Sequence, residues 1–284
     1  MVPGFSRSIS LTLSPSHSVK NSRAASYHKR SASLPCRSHP IISHLEEQIR
    51  AIRSWSANPD ASSVWIEAGL AQIEALLTAL EDFLHLCQTQ EVLRCATSTE
   101  SLLDKFLLLA DIYGSFVSTL VTLKQHQCEV QSAIRRADKI SLISAIRSQR
   151  HSEKKIAQLA SCLKNVSKCR PLGLTSDASE AEITGILVEA VSATAVASMD
   201  VFLGVAAMSA SASSTKTSST MRLFRKLVLN SLSNSRVYDE EFSVAEKLEE
   251  LDVSIGNVEH YSERVFRKLI NLRVSLLNIS TSSL

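Results

Sequence analysis

Glycine and proline are scarce in this chain, and acidic residues are missing from its first 45 positions. There are 7 glycines and 6 prolines among 284 residues. Because these two residues mark turns and end helices, their scarcity predicts long elements with few tight turns. No stretch reads as a pair of β-strands, so the sequence favours an all-α fold.

Recognisable catalytic motifs are also missing. The chain has no nucleophile elbow, phosphate-binding loop, dinucleotide-binding glycine pattern or zinc-protease motif. Four histidines of the body stand far apart in sequence and lack the Glu-x-x-His spacing of bundle metal sites; they are His85, His126, His151 and His260. Asp200 lies in a very apolar stretch, where an edge position on a helical stripe is the favoured interpretation. We therefore expect no enzyme, no cofactor and no metal site.

The six cysteines include no CxxC pair; they are Cys36, Cys87, Cys95, Cys128, Cys162 and Cys169. This spacing favours reduced, mostly buried thiols over a disulfide framework or a zinc site. Targeting and membrane segments are not evident either. Ile9–Leu13 is too short for a secretory signal, and Val201–Thr215 falls short of the ~20 apolar residues that a bilayer requires.

The acid-free N-terminal stretch is predicted to be a disordered tail over residues 1–39. It is rich in serine and carries six basic residues: Arg7, Lys20, Arg23, Lys29, Arg30 and Arg37. Such a composition buries too little apolar area to offset chain entropy. Without these six, 25 of the 31 basic residues remain against 28 acidic ones, a body charge near −3. A body of that charge is not expected to bind nucleic acid.

Residues 40–284 are predicted to form one domain, an elongated antiparallel bundle of long helices. Apolar residues recur at alternating steps of three and four, which is the period of a helical stripe. The stripe of the second helix is Ile66, Leu70, Ile73, Leu77, Leu80, Leu84 and Cys87. The third helix covers Leu102–Ile134 and the last covers Val244–Ile279. Stripes this narrow must be buried against one another, as in a coiled-coil-like bundle.

Two features of the bundle follow from composition. The small residues of the fifth helix, such as Ala190, Ala197 and Gly204, predict a central position that neighbouring helices approach closely. Ser209–Thr220 is predicted to be a Ser/Thr loop, followed by a short helix, Met221–Leu232. A short irregular stretch is expected between the second and third helices.

The tail contains a possible phosphorylation motif, Arg30-Ser31-Ala32-Ser33-Leu34-Pro35. Arg30 stands three residues before Ser33, where a basophilic kinase reads charge, and Pro35 follows two residues after it. A phosphoserine-binding 14-3-3 groove accepts this pattern. Strings of this kind also arise by chance in Ser/Arg-rich tails.

The tail composition has a second interpretation, which concerns localisation. Arg and Ser without acids are typical of an organelle transit peptide, for example to the chloroplast. Helical periodicity is not evident in the tail, so a cytoplasmic protein is the favoured expectation.

A basic run follows the third helix, with Arg147, Arg150, Lys154 and Lys155 at its centre. Such a run is able to lie on an anionic membrane surface. The favoured alternative is a solvated helix face balanced by acidic neighbours such as Glu246, Glu249 and Glu250, because aromatic anchors are missing from the run.

Three segments of the chain form a recognisable set: Tyr27–Pro40 (YHKRSASLPCRSHP), Val130–Arg136 (VQSAIRR) and Val265–Ile279 (VFRKLINLRVSLLNI). Together they resemble the plant-specific BYPASS-like family of unknown biochemical function. The resemblance spans about Tyr27–Ile279 and implies an all-helical plant protein associated with root and shoot development. The chain departs from the family pattern before Tyr27 and at Leu86–Gln90, where a turn containing Leu-Pro is expected. These departures leave localisation and the loop after the second helix open.

Taken together, these features predict a non-enzymatic helical interaction or regulatory protein. It would bind protein partners through its helices or its phosphorylated tail. The alternative is a peripheral membrane or lipid-associated regulator that uses the basic run.

Overall fold

Seven α-helices make up the described part of the chain. The computed structural model describes residues 39–60, 62–96, 98–136, 138–168, 178–229 and 235–281; side chains are described from 180 to 211 in the sixth helix and from 248 in the seventh. The helices are α1 (Pro40–Ser56), α2 (Ser63–Leu84), α3 (Cys87–Cys95), α4 (Ser98–Arg135), α5 (Lys139–Ser167), α6 (Ala178–Leu229) and α7 (Ser235–Thr281). The described residues contain no β-strand, which confirms the all-α prediction. The predicted tail up to residue 38 lies outside them.

The predicted stripes form the core. In α2 every stripe member from Ile66 to Leu84 is at most 1% exposed, whereas Cys87 is exposed at the start of α3. Helix α4 contains the predicted third helix, and its apolar stripe is fully buried from Leu102 to Leu123. With 38 residues, α4 is about 57 Å long. Helices of this length are held mainly by burying such stripes against one another, because propensity alone is a weak term.

Local sequence explains where the helices begin. Pro40 takes the first position of α1, where its missing N–H costs nothing. The Ser62 hydroxyl accepts a hydrogen bond from the Trp65 N–H at the start of α2. Asp138 caps α5 by accepting from the backbone N–H groups of Ile140 and Ser141, at 3.0 and 3.1 Å.

Two pairs of long helices, α4 with α7 and α5 with α6, run antiparallel, as predicted. Between α4 and α7, Lys124 bonds to Glu259, and Gln127 donates to the earlier Leu248 carbonyl. Residue numbers therefore rise on one helix as they fall on the other. The α5–α6 pair shows the same order, because Gln149 contacts Ser209 while Ser192 donates to the Ser167 carbonyl.

Helices α2 and α7 pack in parallel. A ladder of three contacts joins them with residue numbers rising together: Asn257 to Glu67 at 3.0 Å, Arg264 to Glu74 at 2.7 Å and Lys268 to Glu81 at 2.7 Å. The two ion pairs and one amide contact lie seven residues apart on α2, which is two helical turns. The ladder fixes the register of the first long helix against the last.

Helix α6 is the central helix, as its small residues predict. It packs against each of the other six helices. Gly204 is buried and lies against Trp65 and Ile66; a Cβ there would lie 3.2 Å from each side chain. A small residue at this position lets α2 approach closely.

The structure corrects two predictions about irregular segments. The stretch after α2 contains a nine-residue helix, α3, whose Thr89 and Leu93 are buried one turn apart. The predicted loop Ser209–Thr220 is instead part of α6, and so is the predicted short helix Met221–Leu232 as far as Leu229, where the described part of α6 ends. Residues 205–229 contain no glycine or proline, so nothing in this stretch ends the helix.

Candidate interaction surface

The outer side of α5 presents a row of cations, which we call the basic face: Arg147, Arg150, Lys154 and Lys155. All four side chains are exposed. Arg147, Arg150 and Lys154 are separated by three and four residues, so they follow one line along the helix. Lys155 lies beside that line. The structure thus brings together the four basic residues that the sequence singled out.

The opposite side of α5 fixes the direction of the basic face. Its apolar residues are buried against α4 and α6: Leu142, Ala145, Ile146, Ile156, Ala160, Leu163 and Val166. A polar contact adds to this packing, because Gln149 donates to Ser209 at 3.0 Å and Ser209 donates to Glu153 at 2.7 Å. With one side of the helix held in the core, the basic face points away from it.

Among the side chains that the structure describes, none on the basic face is acidic. Glu153 is the single acidic residue in the sequence of α5, and it accepts the Ser209 hydroxyl on the α6 side. Within the described residues, no ion pair involves any of the four cations. The row therefore carries four positive charges that no carboxylate in the described part of the bundle pairs with.

The predicted balance of this row by acidic neighbours involves no direct ion pair among the side chains that the structure describes. Glu249 and Glu250 are exposed on α7, which packs mainly against α4, and the neighbouring Leu248 joins an apolar cluster that includes Leu142 of α5. The Glu246 side chain lies outside the described residues. Arginine and lysine on other helices do form ion pairs, for example Arg53 with Glu189 and Arg264 with Glu74. The cations of the basic face, in contrast, form no such ion pair with another helix in the described part of the chain.

Asp200, the acid that the sequence singled out, has a structural partner. It accepts a hydrogen bond from the Ser56 hydroxyl and so joins α6 to α1. Partial burial raises the pKa of the Asp200 carboxyl, and the bond from Ser56 opposes that rise. A crevice of about 130 Å³ lies nearby, lined by residues that include Arg53 and Ser192. This volume is below the ~300–1,000 Å³ that is usual for ligand pockets.

Metal-ligating and thiol groups are dispersed. In the described ranges, no group of three or more His, Cys, Asp or Glu side chains comes together at metal-binding distance. The four cysteines described are free and exposed: Cys87, Cys95, Cys128 and Cys162. The prediction of mostly buried thiols is wrong for these four, because each lies on the outer side of a helix whose stripe points elsewhere.

Three helical stretches are long and apolar enough to cross a membrane, judged by length and composition: Ser63–Leu84, Ser98–Arg135 and Glu180–Ser211. The expectation that no segment reaches that length is wrong for this part of the chain. Between 44% and 56% of the most apolar window of each stretch is buried inside the bundle. These windows contain the stripes that the helices bury against one another.

The predicted phosphorylation motif lies outside the described residues. Arg30, Ser31, Ser33 and Pro35 all precede residue 39, where the described structure begins. The motif stays a prediction from sequence. The basic face is thus the candidate site that the structure describes.

Comparison with known proteins identifies the family. The family model described as Protein BPS1 matches residues 69–279. The chain belongs to this family. The match runs from α2 almost to the end of α7 and includes the basic face. It confirms the BYPASS-like resemblance and, at a coarse level, indicates a plant developmental protein; the family assigns no biochemical activity. The searches of curated proteins and of solved structures gave no match.

Proposed function

We propose that this member of the BPS1 family is a non-enzymatic interaction protein that regulates root and shoot development in plants. In this proposal, the helical bundle is a rigid support. The basic face of α5 binds a negatively charged partner. The developmental role rests on family membership, and the binding role rests on the geometry of α5.

One observation carries the proposal: four exposed cations share a face on which no acidic residue of α5 lies. Arg147 and Lys155 are eight residues apart, so the row extends over about 12 Å of helix. This length exceeds the Debye length at physiological salt, about 8 Å, so salt screens the attraction between the row and a distant partner. An anionic partner in direct contact would therefore gain most from the row.

The proposal is tested by proximity labelling in intact plant tissue, using full-length protein. The variant Arg147→Glu/Lys154→Glu reverses two charges in the row. The matched control, Arg50→Glu/Arg94→Glu, makes the same charge change at exposed positions on α1 and α3. We expect the first variant to lose labelled neighbours that the control retains. Equal labelling patterns for the two variants would contradict the proposal.

Phosphorylation of Ser33 is the second part of the proposal, and the tail motif Arg30-Ser31-Ala32-Ser33-Leu34-Pro35 supports it. The introduced phosphate would supply the charge that an Arg-lined groove recognises. The experiment compares neighbours labelled by the wild type with those labelled by Ser33→Ala. Loss of 14-3-3-type neighbours in the variant supports regulation through the tail, and their retention argues against it.

A peripheral membrane protein is the second candidate function. It is favoured by Ile140 and Ile143, which are exposed at the N-terminal end of α5. Apolar side chains beside a basic face are typical of helices that lie on membrane surfaces.

A further inference from the structure

Two exposed isoleucines extend the line of the basic face toward the start of α5. Ile140 is 83% exposed and Ile143 is 39% exposed. From Ile140 through Ile143, Arg147 and Arg150 to Lys154, the spacing is three, four, three and four. One line along the helix therefore carries apolar residues first and cations next. A single exposed isoleucine is ordinary, whereas an apolar pair continuous with cations indicates an interaction surface.

We propose that this line of α5 docks on an anionic membrane surface. Ile140 and Ile143 would enter the boundary between headgroups and acyl chains, and the basic face would lie on the headgroups. The proposal rests on the proposed function and deepens it by naming the partner of the basic face. From Ile140 to Lys155 the contact would extend about 22 Å along the helix.

The charges around Ile140 agree with this arrangement. Three further cations are exposed here: Arg135 at the end of α4, Arg136 in the turn and Lys139 at the first residue of α5. The nearest acid in sequence, Asp138, is engaged in the helix cap, where it accepts from the Ile140 and Ser141 N–H groups. Cations at the edge of an apolar contact add attraction to anionic headgroups.

The isoleucines distinguish a lipid surface from an acidic protein segment. An acidic segment would neutralise the basic face without using Ile140, which lies two turns before Arg147. A lipid surface uses both parts at once, because binding of such helices scales with buried apolar area as well as with charge. The geometry therefore favours lipid over acidic peptide.

Flotation of the full-length protein with vesicles tests this inference. One vesicle contains phosphatidylcholine alone, and the other contains about 30% phosphatidylserine, which supplies the negative surface potential that attracts basic segments. We expect flotation only with phosphatidylserine, and release at about 0.5 M salt, where screening is strong. Flotation that is equal in both vesicles, or that persists in high salt as for an inserted helix, would overturn the inference.

Two variants separate the charge contribution from the apolar one. Each cation near an anionic surface strengthens binding about fivefold, so Arg147→Glu/Arg150→Glu/Lys154→Glu/Lys155→Glu should abolish flotation. Ile140→Ser/Ile143→Ser should weaken partitioning by roughly tenfold, because two apolar contacts are lost. Val64→Ser is the control, since Val64 is 74% exposed on α2, away from this line. Unchanged flotation of the serine double variant would overturn the insertion of these isoleucines.

The two proposals fail in different ways. Suppose that vesicles do not bind the wild type, while Arg147→Glu/Lys154→Glu still loses labelled neighbours in tissue. The membrane inference is then wrong, the proposed function stands, and an acidic protein is the partner. If labelling is also unchanged, the proposed function is wrong as well.

Discussion

The Tyr113 hydroxyl lies 2.7 Å from the Ser198 hydroxyl, and both side chains are fully buried between α4 and α6. Ser198 donates its own proton to the Thr194 carbonyl at 2.7 Å. Its oxygen is therefore left to accept from Tyr113. Burial raises the pKa of the Tyr113 hydroxyl by more than the hydrogen bond with Ser198 lowers it. The phenol therefore stays protonated and donates the hydrogen bond.

This geometry predicts unequal effects of two deletions. Ser198→Ala leaves the Tyr113 hydroxyl buried without an acceptor, and should cost about 1–3 kcal/mol of unfolding free energy. Tyr113→Phe leaves Ser198 bonded to Thr194, and should cost about 1 kcal/mol or less. Urea unfolding of both variants measures the difference. If Tyr113→Phe proves the more damaging change, the assigned direction of the hydrogen bond is wrong.

Ser262 offers the opposite case, a buried hydroxyl whose removal should help. It is fully buried within the stripe of α7, and its hydroxyl has no hydrogen-bond partner in the described structure. Ser262→Ala should leave stability unchanged or raise it by up to about 1 kcal/mol. Ser254→Ala is the matched control, because Ser254 donates to the Glu250 carbonyl at 2.8 Å. A clear loss of stability in Ser262→Ala, measured by thermal unfolding, would show that the hydroxyl is satisfied.

Substitution by alanine at two glycines, Gly69 and Gly185, should change the stability of the protein in opposite directions. A Cβ at Gly69 on α2 would overlap the Trp55 ring, which stacks on Trp65 with centroids 4.2 Å apart. Gly69→Ala should therefore cost about 1–3 kcal/mol and disturb the near-ultraviolet signal of the tryptophans. At Gly185 a Cβ meets nothing within 4 Å, so alanine should stabilise α6 by about 0.5–1 kcal/mol. Equal effects at both positions would contradict this packing.

The cap of α5 predicts a dependence on acid pH. Hydrogen bonds from the Ser141 side chain and backbone lower the pKa of Asp138 below its ordinary value, with a smaller contribution from Ile140. The charged form is thus favoured in the folded state. Its contribution to stability is fully present above the unfolded pKa of about 3.9, and is lost as the pH falls through the lower folded value.

Asp138→Asn isolates that contribution, because asparagine caps a helix about as well as aspartate but does not titrate. Unfolding should be followed from pH 6 downward in wild type and variant. We expect the wild type to lose stability more steeply below about pH 4. Parallel curves would show that Asp138 does not contribute to the acid sensitivity.

The stripes of α2 and α4 were predictable because burial follows the helical period directly. Every stripe residue from Ile66 to Leu84 is buried, and the same holds from Leu102 to Leu123. Helix α3 was missed because its buried pair, Thr89 and Leu93, covers a single turn, which is too short to show a period. Local periodicity therefore predicts long helices better than short ones.

The extent of α6 and the surroundings of α5 were harder to predict. Serine and threonine are weak indicators of a loop when no glycine or proline stops the helix, and α6 continues through Ser209–Thr220. The basic face was identified from sequence, but its lack of ion pairs within the described part of the chain depends on which helices pack against α5. The outward direction of Ile140 likewise follows from the side of α5 that is buried against α4 and α6, where Leu142 and Ala145 lie.

The ladder between α2 and α7 has a consequence for how the protein is made. Each of its contacts joins residues 187 or 190 positions apart. On the ribosome, α2 is made long before α7, so one flank of α2 waits for its partner until the 190 residues that separate Glu74 from Arg264 have been added. A polypeptide that stops before Arg264 would leave that flank bare, and cellular quality control would have an apolar groove to recognise.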